Sequence, residues 1–210
     1  MDTQRYMVNP DTTKQRLLKS RNERVCDSLA NTQQDNIRVP FGYAVNYHMI
    51  RTDDMLNGDG LRVVLFLSGC EHQCNGCHNP ETWDVRSGKP LTISVLKKIY
   101  QELDKDYISG ITLSGGDPFH PANRAFVLYL LKDIRKKFST KTIWIYTGYK
   151  YDFLVDDSWC KSILSYADIL VDGRFISKLA SVNYPWAGST NQRVIDLKKS
   201  LSQNTVILYS

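Results

Sequence analysis

The sequence has no hydrophobic run long enough to cross a bilayer. Its strongest, Val63-Val64-Leu65-Phe66-Leu67, falls far short of the roughly 20 residues that a spanning helix needs. The first residues, Met1-Asp2-Thr3-Gln4-Arg5-Tyr6, lack the apolar stretch of a secretion signal, so neither secretion nor a membrane partner is expected. A strong excess of charge is missing too. The 27 basic and 22 acidic side chains leave a net charge of +5, well below the concentrated basic face of a nucleic-acid binder, and no direct nucleic-acid contact is expected. Cysteine is scarce: there are five, an odd number, and three of them fall between positions 70 and 77. A disulfide scaffold is thereby disfavoured, and reduced thiols in a cytoplasmic protein are expected. There is no internal repeat or low-complexity tract. The 210 residues accommodate one domain with a full core, or one domain and an appendage, and two complete domains are not expected.

What is present is concentrated between Ser68 and Asp84. Cys70, Cys74 and Cys77 form a C-x3-C-x2-C triplet, and three thiolates so close in the chain can converge on zinc or on an iron–sulfur cluster. No second Cys-x-x-Cys follows to supply a fourth ligand. Two readings stay open. In one, His72 or His78 completes a zinc site that folds an interaction module. In the other, the three cysteines hold a [4Fe–4S] cluster with one iron left open to a substrate or cofactor. S-adenosyl-L-methionine can chelate such an iron through its amino nitrogen and carboxylate, which brings its sulfonium near the cluster. Clusters held by cysteine reach potentials as low as about −700 mV, as reductive cleavage to a 5′-deoxyadenosyl radical demands.

Along the chain, residues 1–44 are polar, with helical spacing only at Leu17, Leu18, Val25 and Leu29. They read as an N-terminal extension, partly helical or flexible, in which Cys26 is an ordinary thiol. From Tyr47 strands and helices alternate. Val63 to Leu67, Ile111 to Leu113, Thr142 to Tyr146 and Asp168 to Val171 are apolar runs of strand character. Between them Leu96, Ile99, Tyr100 and Leu103, then Phe126, Val127, Leu130, Leu131, Ile134 and Phe138, keep helical spacing. A cap at Thr92 or Ser94 begins the first helix, and Ser158 to Tyr166 reads as a third. Thr205 to Tyr209 is a last short strand or a loose tail. The alternation predicts an α/β fold of right-handed βαβ units with parallel strands. Its strand-end loops then gather on one edge: the cysteine triplet, Gly115-Gly116-Asp117-Pro118, Thr147-Gly148-Tyr149 and Asp172-Gly173-Arg174.

The Gly-Gly-Asp-Pro loop admits two uses. Gly115 and Gly116 would let the backbone approach a ligand's ammonium group closely; alternatively, Asp117 and Pro118 are an ordinary helix cap and first helical residue. Its occurrence beside the cysteine triplet favours the ligand role for Gly115, Gly116 and Asp117.

These residues match a known pattern. The triplet with Asn79 and Thr82-Trp83, followed by Leu113-Ser114-Gly115-Gly116-Asp117-Pro118 with His120-Pro121 and Asn123, resembles the radical S-adenosylmethionine activases of glycyl-radical enzymes. Further motifs are similar to the branch that activates anaerobic ribonucleoside-triphosphate reductases. They are Asn57-Gly58 with Gly60 and Arg62, Trp144 before Thr147-Gly148-Tyr149-Lys150, Val171-Asp172-Gly173, and Trp186-Ala187-Gly188-Ser189 with Asn191-Gln192-Arg193. The resemblance implies a partial (β/α) barrel of the radical SAM type over residues 45–210. It implies one [4Fe–4S] cluster on Cys70, Cys74 and Cys77, and S-adenosyl-L-methionine held near Gly76, Cys77, His78 and Gly116. It also implies a glycyl radical left on the large subunit of the reductase, with an electron donor such as a flavodoxin-type protein. Two features depart from that branch. His78 stands where a tyrosine is usual, and Cys77-His78-Asn79 with Thr82-Trp83-Asp84 looks like the pyruvate formate-lyase activase, although Asp117 and the downstream motifs oppose that assignment. The N-terminal extension is the second.

Overall fold

A computed structural model describes residues 44–210. The expectations for the N-terminal extension, Cys26 among them, lie outside the described residues. Seven strands form one sheet: β1 (Asn46–Asp54), β2 (Arg62–Leu67), β3 (Lys89–Pro90), β4 (Gly110–Gly115), β5 (Thr142–Thr147), β6 (Ile169–Asp172) and β7 (Arg193–Asp196). Their order across the sheet is β3-β1-β2-β4-β5-β6-β7. The four strands expected from the apolar runs are the adjacent parallel strands β2, β4, β5 and β6. Antiparallel strands flank them, β1 and β3 on one side and β7 on the other.

Register brings the parallel strand ends level. Leu67 pairs with Gly115, Leu113 with Ile145, and Thr147 with Asp172, so the loops leaving β2, β4, β5 and β6 start from one row. The connections run through α1 (Ile93–Leu103), α2 (Pro121–Lys137), and the pair α3 (Tyr151–Asp156) and α4 (Ser158–Leu164). Right-handed crossovers in a single direction place these helices on one face of the sheet. A further helix, α5 (Leu197–Gln203), follows β7. Among the described residues no helix is long and apolar enough to cross a membrane.

Alternation along the strands divides the core into two parts. Val63, Leu65, Leu67, Ile111, Leu113, Ile143, Ile145 and Leu170 join the helix side chains in the larger cluster. Each fully buried aliphatic residue there contributes roughly 1.5–3 kcal/mol. Trp144, Ile169, Val171 and Val194 point the other way, where Tyr146, Trp186 and Tyr209 cover them instead of helices. A one-residue slip of any strand would exchange these sets, which fixes the register. The tail, expected as a last short strand or a loose end, pairs with β7. Tyr209 N–H donates to Val194 (2.8 Å) and Asp196 N–H to Ile207 (2.9 Å), so the tail runs beside β7 as an incomplete eighth strand.

Arg62, at the start of β2, is completely buried on the second face. Its five N–H groups reach Thr112 Oγ1, Asp59 O, Thr142 Oγ1, Ile111 O and Thr142 O at 2.8–3.0 Å. Its guanidinium also lies 5.4 Å from the Trp144 ring centre. Burial lowers its pKa to about 10. One charged side chain thus ties the opening ends of three parallel strands at the edge remote from the cysteines.

Helix starts follow local chemistry, with one correction. Thr92 caps α1 by accepting from Val95 N–H. α2 begins at Pro121, capped by His120, and not at Pro118 behind Asp117. The reason is that the Asp117 carboxylate is drawn inward to other loops.

Candidate metal centre

The chain between β2 and α1 has little regular structure, and backbone bonds hold its shape. Gly69 N–H donates to Thr82 O (2.7 Å) and Cys70 N–H to Trp83 O (3.0 Å), closing the loop on itself. Cys77 N–H donates to Cys74 O (3.1 Å), and Asn79 N–H reaches Cys77 Sγ (3.4 Å). Asn123, buried on α2, donates to Ser68 O (2.9 Å) at the loop's root. All three cysteines are partly exposed thiols, whereas Cys160 is buried in α4. Burial pushes the Cys70 thiol up to about 11, although the His72 and Gln73 N–H groups act in the opposite direction. Metal uptake there must therefore displace a proton.

Asp117 is the meeting point of the surrounding loops. It is 1 % exposed and accepts from Phe119 N–H (2.8 Å), the Thr147 hydroxyl (2.9 Å), Gly148 N–H (2.9 Å) and His72 Nε2 (2.8 Å). The loops after β2, β4 and β5 therefore converge on one carboxylate. Thr147-Gly148-Tyr149, one of the strand-end loops read from the sequence, forms a socket for His72. A Cβ at position 148 would lie 2.2 Å from the His72 ring. Tyr149 meets that ring edge-on at 4.4 Å, and its hydroxyl donates to Glu71.

The two glycines before Asp117 have a nearer partner than a ligand. A Cβ at Gly116 would stand 2.5 Å from Gly69 O, and one at Gly115 would stand 2.8 Å from Leu67 O. Gly116 N–H donates to Leu67 O and Asp117 N–H to Gly69 O, each at 2.7 Å. The bare backbone is thus required first by the contact between this loop and the residue before Cys70. Asp117, expected beside a cofactor, has its carboxylate engaged by protein donors on both oxygens.

The other end of the triplet meets the segment after β6. The exposed His78 ring lies 4.8 Å from that of Phe175, and Gly76 lies close to Phe175 and Ser177. Asn191, Gln192 and Arg193 stitch this segment together. Gln192 Oε1 accepts from Gly188 and Ser189 N–H while its Nε2 donates to Gly173 O. Asn191 donates to Arg174 O. Arg193 pairs with Asp172 and Asp152. Phe175 was invisible to sequence reasoning, since an isolated aromatic in an irregular stretch carries no signal of its own. Gln192 was visible only as part of a motif.

Among the described residues no group of three or more His, Cys, Asp or Glu side chains is gathered as a single metal ion requires. His72 is bonded to Asp117 and so is turned away from a tetrahedral zinc set with the thiols, while His78 lies against Phe175. A multinuclear cluster, which separates its ligands, fits the donor set better. Buried polar atoms with no protein partner mark the same place. Of the four side chains that carry one among the described residues, His72 (Nδ1) and Trp83 (Nε1) belong to the cysteine loop and Asn123 (Oδ1) holds its root. Such atoms call for a bound group or water.

The family model described as a 4Fe-4S single cluster domain matches residues 56–195. A protein of Enterobacteria phage T4 is 41% identical over 150 residues, covering 71% of this chain and 93% of its own. A protein of Vibrio cholerae is 45% identical over 150 residues, or 70% of this chain and 96% of its own. One from Escherichia coli K12 is 42% identical over 156 residues, or 73% of this chain and all of its own. Each carries the name anaerobic ribonucleoside-triphosphate reductase-activating protein.

Proposed function

This chain belongs to the family of anaerobic ribonucleoside-triphosphate reductase-activating proteins, and from that premise we propose that it activates such a reductase by leaving a glycyl radical on the large subunit. The chemistry is that of a [4Fe–4S] cluster that cleaves S-adenosyl-L-methionine reductively to methionine and a 5′-deoxyadenosyl radical. The observation that carries the reading is the convergence of the Gly-Gly-Asp and Thr-Gly-Tyr loops on the cysteine loop through one buried carboxylate.

Cys70, Cys74 and Cys77 are the cluster ligands. Gly76, Cys77, His78, Gly115 and Gly116 line the cofactor's place, while Asp117 organises the loops around it. Gly76 and His78 are exposed beside Phe175, and His78 is read as taking the place near the cofactor where the resemblance has a tyrosine. The sheet is read as the partial (β/α) barrel of the radical SAM type, its loop edge open to a protein substrate. The electron comes from a flavodoxin-type donor, and the setting is the cytoplasm.

Anaerobic reconstitution with iron and sulfide tests the chemistry. The expected product is a brown protein, bleached by a strong reductant, that converts S-adenosyl-L-methionine to methionine and 5′-deoxyadenosine. A colourless protein holding stoichiometric zinc would overturn the reading.

A further inference from the structure

We propose that His72 is a positioning residue for the cluster: locked onto Asp117 in the socket of Thr147, Gly148 and Tyr149, it holds the chain between Cys70 and Cys74 in its ligating shape. The inference rests on the reading of those cysteines as cluster ligands.

His72 lies midway between two thiols, yet its own side chain is turned away into the protein, 4% exposed. Its Nε2 bond to Asp117 (2.8 Å) joins the cysteine loop to a carboxylate already fixed by Phe119, Thr147 and Gly148. The anchor therefore belongs to the strand ends and not to the loop itself. The socket has little slack, because Gly148 leaves no space for even a methyl group beside the ring.

The backbone next to His72 shows what the anchor accomplishes. Gln73 has φ +46°, a left-handed conformation that residues with a Cβ avoid and that persists where the surroundings over-determine it. That conformation sets the path of the chain from His72 into Cys74. Hydrogen bonds to a ligating sulfur and its exposure set both the retention and the potential of a cluster. Releasing His72 should relax Gln73, change the exposure of the Cys70 sulfur and loosen Cys70 relative to Cys74. The Cys77 end, held near Phe175 instead, should keep its place.

The test compares wild-type protein with His72→Ala, His72→Gln and Thr147→Val after identical anaerobic reconstitution. The measurements are the rate of iron loss to a chelator, the cluster potential from a redox titration followed by electron paramagnetic resonance, and thermal melting of the cluster-free protein. His72→Ala should lose iron about tenfold faster, the scale on which partners that orient a metal's ligands act, with a shifted potential. His72→Gln, which can still donate to Asp117, should recover most of both. Thr147→Val removes a hydroxyl from the anchor without altering the cysteine loop, so it should change both in the same direction to a smaller extent. It also decides the matter should His72→Ala fail to fold. Wild-type release and potential in His72→Ala, or in Thr147→Val where His72→Ala does not fold, would overturn the proposal. If wild-type protein takes up no cluster, the functional reading fails and the proposal with it. If it takes up a cluster but leaves S-adenosyl-L-methionine intact, only the functional reading fails, and the variants still decide the role of His72.

Discussion

The backbone of Gly116 rests directly on that of Gly69, so that a methyl group at position 116 would lie 2.5 Å from the Gly69 carbonyl oxygen. Gly69 immediately precedes the first cysteine, and the contact transmits any change at the end of β4 to the cysteine loop. Gly116→Ala should therefore displace Cys70, reduce cluster incorporation and destabilise the cluster-free fold by about 1–3 kcal/mol, as overpacking does. Iron content and chemical denaturation check this. Full incorporation with unchanged stability would show that the contact yields.

Cysteines in different settings should behave differently. Cys74 lies on an irregular, partly exposed loop, while Cys160 is buried in α4. Cys74→Ala should lose the cluster and the activity yet melt close to the wild-type protein without cluster. Cys160→Ala should retain full iron content. Global unfolding of Cys74→Ala would favour a structural metal in the loop.

Arg62 provides a control at the remote edge. Its replacement by methionine would leave the carbonyls of Ile111 and Thr142 without their buried donor, and a loss of about 3 kcal/mol is expected. Equilibrium denaturation should show that loss, while the cluster's electron paramagnetic resonance spectrum stays as in wild type.

Acid sensitivity should trace in part to Asp168. Burial raises its pKa, but bonds from Lys198, Arg135 and Ile143 N–H outweigh that and hold it below the ordinary 3.8. Because the folded value is the lower one, the unfolded chain binds more protons as pH falls. The contribution is complete above the unfolded pKa of 3.8 and is lost as pH drops through the folded value. Asp168→Asn should be less stable at neutral pH and show a flatter stability profile below about pH 4.

The parallel centre was legible because β2, β4, β5 and β6 are buried on both faces and read as continuous apolar runs. β1 was not. Its residues, Asn46–Asp54, are half exposed and polar at most positions, and pairing with β2 and β3 makes them a strand. β7, four residues long and opening on Arg193, carries too little hydrophobic pattern to announce itself. At the site, the cysteine triplet stood out by spacing alone. The role of Asp117 did not, because Asp-Pro after a strand is an ordinary helix start, and the partners that redirect its carboxylate, His72 and Thr147, are 45 and 30 positions away in the chain. Likewise, the small residue in Thr147-Gly148-Tyr149 takes its meaning from a ring contributed by another loop.

The most direct measurement is electron paramagnetic resonance of the reconstituted protein mixed anaerobically with a strong reductant, S-adenosyl-L-methionine and the large subunit of an anaerobic ribonucleoside-triphosphate reductase. A glycyl doublet should appear on the large subunit and should be absent when Cys74→Ala replaces the wild-type protein. No doublet with the reductase, or a doublet only when pyruvate formate-lyase is supplied instead, would contradict the account.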